Sequence, residues 1–133
     1  MAAGRAPRIL VVDDDPGFLE LMRDLFAGTE GFEVITRKEW TGADELVRTL
    51  RPDVVVLDIM SGPSDPAGWY TLESLRGDPR TRNVPVIVCS ASGTAPGERG
   101  RRLMGNTVPF LPKPFQLDEM VRTVEDALAR SVA

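Results

Sequence analysis

Residues that could do chemistry stand directly after short apolar runs at four places in this chain. They are three carboxylates, one hydroxyl and one ammonium, on Asp13, Asp14, Asp58, Ser90 and Lys113. Crowded carboxylates raise one another's pKa unless a cation offsets their repulsion. A hard divalent ion with oxygen ligands does this, and Mg²⁺ suits a site with few protein ligands and several waters. If the fold gathers these residues, the pattern predicts a magnesium site.

The third aspartate of the acidic run has a different predicted role. Asp15 directly precedes Pro16. Aspartate is a favoured helix N-cap, and proline is favoured at the first helical position. We therefore expect Asp15 to cap a helix, which leaves Asp13 and Asp14 for the chemistry.

The whole-chain properties exclude several classes of protein. A chain of 133 residues is one domain with a core of its own. Its net charge of -4 argues against direct nucleic-acid binding, and no apolar stretch reaches the roughly 18 residues of a membrane span. The lone cysteine, Cys89, excludes an internal disulfide. We expect a cytoplasmic protein that contacts neither nucleic acid nor membrane directly.

Strand-like and helix-like patterns alternate along the chain. The strand-like runs are Ile9–Val12, Phe32–Ile35, Val54–Leu57, Val84–Cys89 and Val108–Leu111. Apolar residues at helical spacing separate and follow these runs. Thr41 is placed to cap the second helix, and the glycine-rich "SGTAPGERGRRLMGN" predicts a short fourth helix over Glu98 to Met104.

This alternation predicts an α/β fold, a five-stranded parallel sheet with helices on both faces. Because βαβ crossovers are right-handed, few strand orders are possible. Of these, we expect the flavodoxin-like (βα)5 order 2-1-3-4-5. It puts the last strand, with Pro109 and Pro112, at a sheet edge, where proline is tolerated. Ligands bind such sheets beyond the carboxyl ends of the strands. The carboxylates, hydroxyl and ammonium should therefore meet at one rim.

Four strings carry a resemblance to a known family. In order and spacing, "ILVVDDDP", "PDVVVLDIM", "VPVIVCSAS" and "FLPKPF" resemble the CheY-like receiver domain of bacterial two-component response regulators. Each string alone is weak, but together they are highly specific. The resemblance predicts a receiver over residues 8–131, a disordered tail over 1–7 and no output domain.

The resemblance implies a phosphoryl acceptor and a metal site. Asp58 would accept the phosphoryl group from a phosphohistidine. Asp14 would bind Mg²⁺ directly, Asp13 would bind it through water, and Asp58 and the backbone carbonyl of Met60 would complete the protein ligands. The activity implied is that of a signalling domain, with at most self-catalysed phosphotransfer and autodephosphorylation.

The resemblance also implies a switch. Ser90 would donate a hydrogen bond to a phosphoryl oxygen, and Phe110 would be the aromatic that moves with Ser90. Lys113 would pair with the phosphoryl group, and its peptide bond to Pro114 would be cis. The partners implied are a sensor histidine kinase or phosphotransfer protein, and a downstream protein bound on the face of the fourth helix, fifth strand and fifth helix.

Two segments depart from the family pattern, the glycine-rich fourth helix and the loop after the acceptor. After the acceptor the family usually has Met-Pro at the third and fourth positions and glycine at the eighth. Here "IMSGPSDPAGW" puts Pro63 at the fifth position and Gly68 at the tenth. The sequence therefore predicts a lengthened loop over residues 61–67.

Two alternatives stand beside the phosphorylatable receiver. A pseudo-receiver would bind partners without phosphorylation, its lengthened loop having disabled the chemistry, although the complete set of site residues argues against this. A flavodoxin-like FMN carrier would share the sheet. It would need a phosphate-binding loop after the first strand, where three aspartates would instead repel phosphate.

Overall fold

The computed structural model describes residues 6–27, 31–59, 67–90, 97–105 and 107–132. Within these ranges strands and helices alternate strictly. The strands are β1 (Arg8–Val12), β2 (Glu33–Arg37), β3 (Val54–Asp58), β4 (Val86–Ser90) and β5 (Phe110–Pro112). The helices are α1 (Pro16–Ala27), α2 (Ala43–Leu50), α3 (Ala67–Gly77), α4 (Gly97–Met104) and α5 (Leu117–Val132).

The five strands form one parallel sheet in the order β2-β1-β3-β4-β5. This confirms the predicted fold and strand order. In the pairing of β1 with β2, the first pair is Arg8 and Glu33. In the pairing of β1 with β3, the last pair is Val12 and Leu57. Because β1 and β3 are adjacent although α1, β2 and α2 separate them in sequence, their carboxyl ends lie at the point where the strand order reverses.

Both faces of the sheet are buried under helices. Along β3, Val54 and Val56 pack into a core with α1 and α5, whereas Val55 and Leu57 pack into a second core with α2, α3 and α4. Alternate residues of a strand point to opposite faces of the sheet. A strand whose two faces are both buried therefore needs apolar residues at every position, rather than apolar and polar residues in alternation. This packing fixes the strand ends that carry the polar residues.

The ends of α1 and α2 form in different ways. The Asp15 carboxylate accepts a hydrogen bond from the Gly17 N–H at 3.0 Å, which confirms the predicted cap of α1. The predicted cap of α2 by Thr41 is wrong. Gly42 precedes that helix with φ of 77°, a left-handed conformation that glycine tolerates, and no side chain caps the helix.

The last strand and the fourth helix form close to where the sequence predicts them. Strand β5 lies at the sheet edge and includes Pro112, while Pro109 lies just before it and accepts a hydrogen bond from the Val88 N–H. Proline at an edge costs no ladder bond on the open side. Helix α4 is short, as its glycines predict, and begins one residue before the expected Glu98.

An acid-dependent contact links α2 to the turn after α3. The Asp78 carboxylate lies 3.0 Å from Arg80 Nη2 and 3.2 Å from Arg48 Nη1. Hydrogen bonds from Arg80 and the charges of both guanidinium groups lower the pKa of Asp78 from 3.8 to about 2. A carboxyl whose pKa is lower in the folded state stabilises the fold above its unfolded pKa and loses that contribution as the pH falls through the folded value.

We therefore expect Asp78→Asn to lower the free energy of unfolding at pH 6, with the difference from wild type shrinking as the pH falls from about 4 towards about 2. Urea unfolding across that range measures it. Asp126→Asn, an exposed change on α5, controls for the loss of a surface charge. A deficit of Asp78→Asn that stays constant with pH would contradict the linkage.

Candidate functional site

Four strand ends place the polar residues at one edge of the sheet. Asp13 follows β1, Asp58 ends β3, Ser90 ends β4 and Lys113 follows β5. All four strands are parallel, so these positions share the carboxyl edge. The structure thus brings together the residues that the sequence places there, with Asp14 beside Asp13.

The three aspartates form a compact cluster. One carboxylate oxygen from each of Asp13, Asp14 and Asp58 lies within 4.8 Å of the others. Asp13 and Asp58 are only 1% and 3% exposed, whereas Asp14 is exposed. Three carboxylates this close suit a hard divalent cation, and the exposed Asp14 leaves one side of the cluster open to water.

Lys113 is the cation that the structure places against this cluster. Its Nζ donates to Asp13 Oδ2 at 2.6 Å and lies 4.0 Å from Asp58 Oδ2. Burial disfavours the ammonium, but the hydrogen bond to Asp13 and the charges of Asp13 and Asp58 outweigh it, so the pKa of Lys113 is raised. Lys113 therefore remains charged at neutral pH.

Aromatic residues hold the lysine in place. Its ammonium lies 4.0 Å from the centroid of the Phe18 ring, a cation–π contact, and Phe18 in turn meets Phe115 edge to face at 6.0 Å. The peptide bond from Lys113 to Pro114 is cis, as the resemblance implied. The contacts of its ammonium with Asp13 and Asp58 show that the side chain lies over the sheet edge, towards the carboxylates.

Asp13 has a hydrogen-bond donor on each carboxylate oxygen. Oδ2 accepts from Lys113, and Oδ1 accepts from the backbone N–H of Asp15 at 2.9 Å. The Asp13 N–H itself donates to the carbonyl of Arg37 at 3.0 Å. These contacts fix the position of the Asp13 carboxylate and give each of its oxygens one donor.

The backbone at Asp58 is held from three directions. The Ile59 N–H donates to the carbonyl of Cys89 at 2.9 Å, and the indole Nε1 of Trp40 donates to the carbonyl of Asp58 at 2.8 Å. On the third side lies Gly68, where a Cβ would stand 2.5 Å from Ile59 Cα and 2.7 Å from the Asp58 carbonyl oxygen. Helix α3 can therefore approach the end of β3 this closely only with glycine at position 68.

Sequence reasoning missed the role of Trp40 and saw Gly68 only as a displaced family glycine. A tryptophan in the polar stretch "TRKEWTGADE" was a signal available in the sequence, because a buried indole N–H needs an acceptor. The identity of that acceptor, 18 residues away, follows from no local pattern.

Ser90 and Phe110 occupy the predicted places. Ser90 is 1% exposed, and its carbonyl accepts the Lys113 N–H at 2.8 Å. Phe110 is half-buried and packs against the core under α2, α3 and α4. Cys89 is buried, and burial raises the pKa of its thiol to about 12, so this side chain stays protonated at neutral pH.

Two expectations fall outside the described residues. One is the backbone carbonyl of Met60 as a metal ligand, and the other is the course of loop 61–67, of which the structure describes only Ala67, at the start of α3.

Comparison with known proteins decides the family. The family model described as "Response regulator receiver domain" matches residues 9–125. The chain belongs to this family. It is thus a receiver domain of two-component response regulators, a signalling domain rather than a conventional enzyme. Within the described residues, every helix is too short or too polar to cross a membrane.

Relatives of this receiver domain are longer proteins. It is 30% identical, over 94% of its length, to the "DNA-binding dual master transcriptional regulator RpaA" of Synechocystis, and 34% identical, over 94%, to the "Transcriptional regulatory protein KdpE" of Mycobacterium tuberculosis. These alignments cover 50% and 52% of the two relatives, so the chain spans about half the length of the curated relatives it matches.

Solved receiver structures share the fold over the whole domain. A putative response regulator from Chloroflexus aurantiacus superposes with a TM-score of 0.79 at 26% identity. The superposition covers 94% of this chain and 99% of that one.

The close approach at Gly68 gives a stability prediction for the receiver domain. Gly68→Ala should lower the free energy of unfolding by about 1–3 kcal/mol, because the new methyl group meets backbone that cannot move aside without shifting the end of β3. Urea denaturation measures the change.

The matched control is Gly77→Ala in the same helix, where a Cβ would meet nothing within 4 Å. This variant should be neutral or stabilised by up to about 1 kcal/mol. A Gly68→Ala protein as stable as Gly77→Ala would contradict the proposed contact.

Proposed function

We propose that this receiver domain accepts a phosphoryl group on Asp58 from the phosphohistidine of a sensor histidine kinase or phosphotransfer protein, in a Mg²⁺-dependent step. The phosphorylated domain then changes its affinity for a downstream protein. The observation that carries the proposal is the position of the Asp58 carboxylate, which ends the central strand 4.0 Å from the Lys113 ammonium and beside Asp13 and Asp14.

The chemistry suits these side chains. An oxygen of the Asp58 carboxylate attacks phosphorus, the new O–P bond forms, and the bond from phosphorus to the histidine nitrogen breaks. A carboxylate nucleophile has no proton to lose and therefore needs no general base. Because the transition state of phosphoryl transfer is loose, the protein contributes mainly by positioning and by stabilising charge. Lys113, charged and within reach, stabilises the negative oxygens of the transferred group.

The donor set fits a magnesium ion. Three carboxylates and one ammonium leave two negative charges over in this cluster, which a divalent cation balances. Asp14 and Asp58 would hold Mg²⁺ directly and Asp13 through water, with the Met60 carbonyl as the further expected ligand. When bound, the ion supplies additional charge stabilisation for the phosphoryl oxygens.

Signal output follows from a change in a bistable element. In the proposal, the Ser90 hydroxyl donates a hydrogen bond to a phosphoryl oxygen, and Phe110, the first residue of β5, moves with it. The output surface is the face of α4, β5 and α5. The support is that α4 is a short helix whose Glu98, Arg101 and Arg102 are exposed, so charged side chains are available to a protein partner. We expect the domain to act in the cytoplasm, without direct contact to nucleic acid or membrane.

Phosphorylation itself is directly measurable. Incubation with acetyl phosphate and Mg²⁺ should raise the intact mass by one phosphoryl group, and Asp58→Asn should abolish the gain because the nucleophilic oxygen is lost. Asp15→Asn is the matched control, since asparagine also caps helices well, and it should be phosphorylated like wild type. A gain that persists in Asp58→Asn would refute the acceptor. A wild type that binds Mg²⁺ but gains no mass would favour the phosphorylation-independent pseudo-receiver.

Magnesium binding is expected without any phosphoryl group. Mg²⁺ titration should change tryptophan fluorescence, because Trp40 bonds the Asp58 backbone and Trp69 lies in the first turn of α3. Asp14→Ala should weaken binding by at least about tenfold, since even outer-shell partners of a metal are worth about 10–100-fold. Asp15→Asn should titrate like wild type. Identical titrations of wild type and Asp14→Ala would count against the site.

A further inference from the structure

Residues 37–42, from the last residue of β2 to the residue before α2, form a turn that touches both buried aspartates. The carbonyl of Arg37 accepts the N–H of Asp13 at 3.0 Å. Three residues later, the Trp40 indole donates to the carbonyl of Asp58 at 2.8 Å. One turn therefore makes a hydrogen bond to the backbone of each of the two carboxylate-bearing strand ends.

The peptide group that follows Asp58 is fixed at both of its ends. Its N–H, on Ile59, donates to the carbonyl of Cys89 in β4, and its C=O accepts from Trp40. The pairing of β1 with β3 ends at Val12 and Leu57, one residue before Asp58. The indole thus acts just beyond the last strand pair on that side, where the β1–β3 ladder no longer restrains the chain.

The turn that carries Trp40 is itself well braced. The Arg37 guanidinium donates to the carbonyl of Glu39 at 3.1 Å and to the carbonyl of Thr41. The carbonyl of Trp40 accepts the Ala43 N–H at 3.0 Å, and the Trp40 ring packs against the core under α2 and α3. The indole is therefore held in its donating position before any ligand arrives, as preorganisation requires.

We propose, building on the function proposed above, that Trp40 is a positioning residue for phosphoryl transfer. Its indole N–H fixes the Asp58–Ile59 peptide, and through it the orientation of the Asp58 carboxylate towards phosphorus. In-line attack depends on the alignment of the reacting atoms, so a small rotation at the acceptor lowers the rate. If Trp40 only filled space in the core, a phenylalanine would serve nearly as well.

The test compares Trp40→Phe with wild type in acetyl phosphate-driven phosphorylation, followed by intact mass over time. At saturating Mg²⁺ and acetyl phosphate, the maximal rate should fall about 3- to 10-fold, the factor that corresponds to one ordinary hydrogen bond. The acetyl phosphate concentration that gives half the maximal rate should change less than about twofold, because binding contacts remain. Trp69→Phe, which changes the other tryptophan, should keep the wild-type rate.

A second measurement separates the N–H from the bulk of the ring. Incorporation of benzothienylalanine at position 40 keeps the shape of the bicyclic ring and replaces only the N–H by sulfur, so it covers the case in which Trp40→Phe does not fold. It should show the same loss of maximal rate. In ¹⁵N-labelled wild type, the Trp40 indole resonance should shift when beryllofluoride, a phosphoryl mimic, occupies Asp58, while that of Trp69 should shift less.

The outcomes distinguish this inference from the function on which it rests. A wild type that is never phosphorylated would overturn the proposed function and the role of Trp40 with it. A phosphorylated wild type, with an equal maximal rate in the folded benzothienylalanine protein, would overturn the positioning role alone. An indole resonance that does not respond to beryllofluoride would also contradict it.

Discussion

The partly buried ion pair between Asp13 and Lys113 is the interaction on which the site depends. Asp13 and Asp58 are almost fully buried and share one cluster, so without a cation their like charges would be costly. Lys113 donates to Asp13 at 2.6 Å and stands 4.0 Å from Asp58. Removing one partner of a buried pair leaves an uncompensated charge, which is strongly destabilising. In the proposed function, the same ammonium that offsets the charge of the carboxylates also pairs with the phosphoryl group.

The sheet makes this pairing possible. Lys113 and Asp13 are 100 residues apart in sequence, yet both follow the carboxyl ends of parallel strands in one sheet. The cores on both faces of the sheet fix the positions of the strands. Backbone hydrogen bonds then orient the residues at the carboxyl ends of β1 and β3. The Asp15 N–H orients the Asp13 carboxylate, while Trp40, Cys89 and Gly68 surround the peptide after Asp58. Stability and site geometry thus rest on the same contacts.

Features set by local pattern could be predicted from the sequence, and features set by distant contacts could not. The Asp15 cap follows from its position before Pro16. The strand order follows from the alternation of strand-like and helix-like patterns, and the meeting of Asp13, Asp58 and Lys113 follows from their positions after the predicted strands. The Thr41 cap was wrong because Gly42, with its left-handed backbone, is the residue that precedes α2. The indole contact to Asp58 and the tight approach of Gly68 arise from packing between elements, which periodicity does not encode. The switching of Phe110 and the Met60 ligand remain predictions.

The central claim is that the phosphoryl group resides on Asp58 rather than on a neighbouring carboxylate of the cluster. Borohydride reduces an acyl phosphate to an alcohol, which converts a phosphorylated aspartate to homoserine. After treatment with acetyl phosphate and Mg²⁺, reduction followed by peptide mass spectrometry should find homoserine at position 58. Homoserine at position 13 or 14, with Asp58 unchanged, would contradict the account.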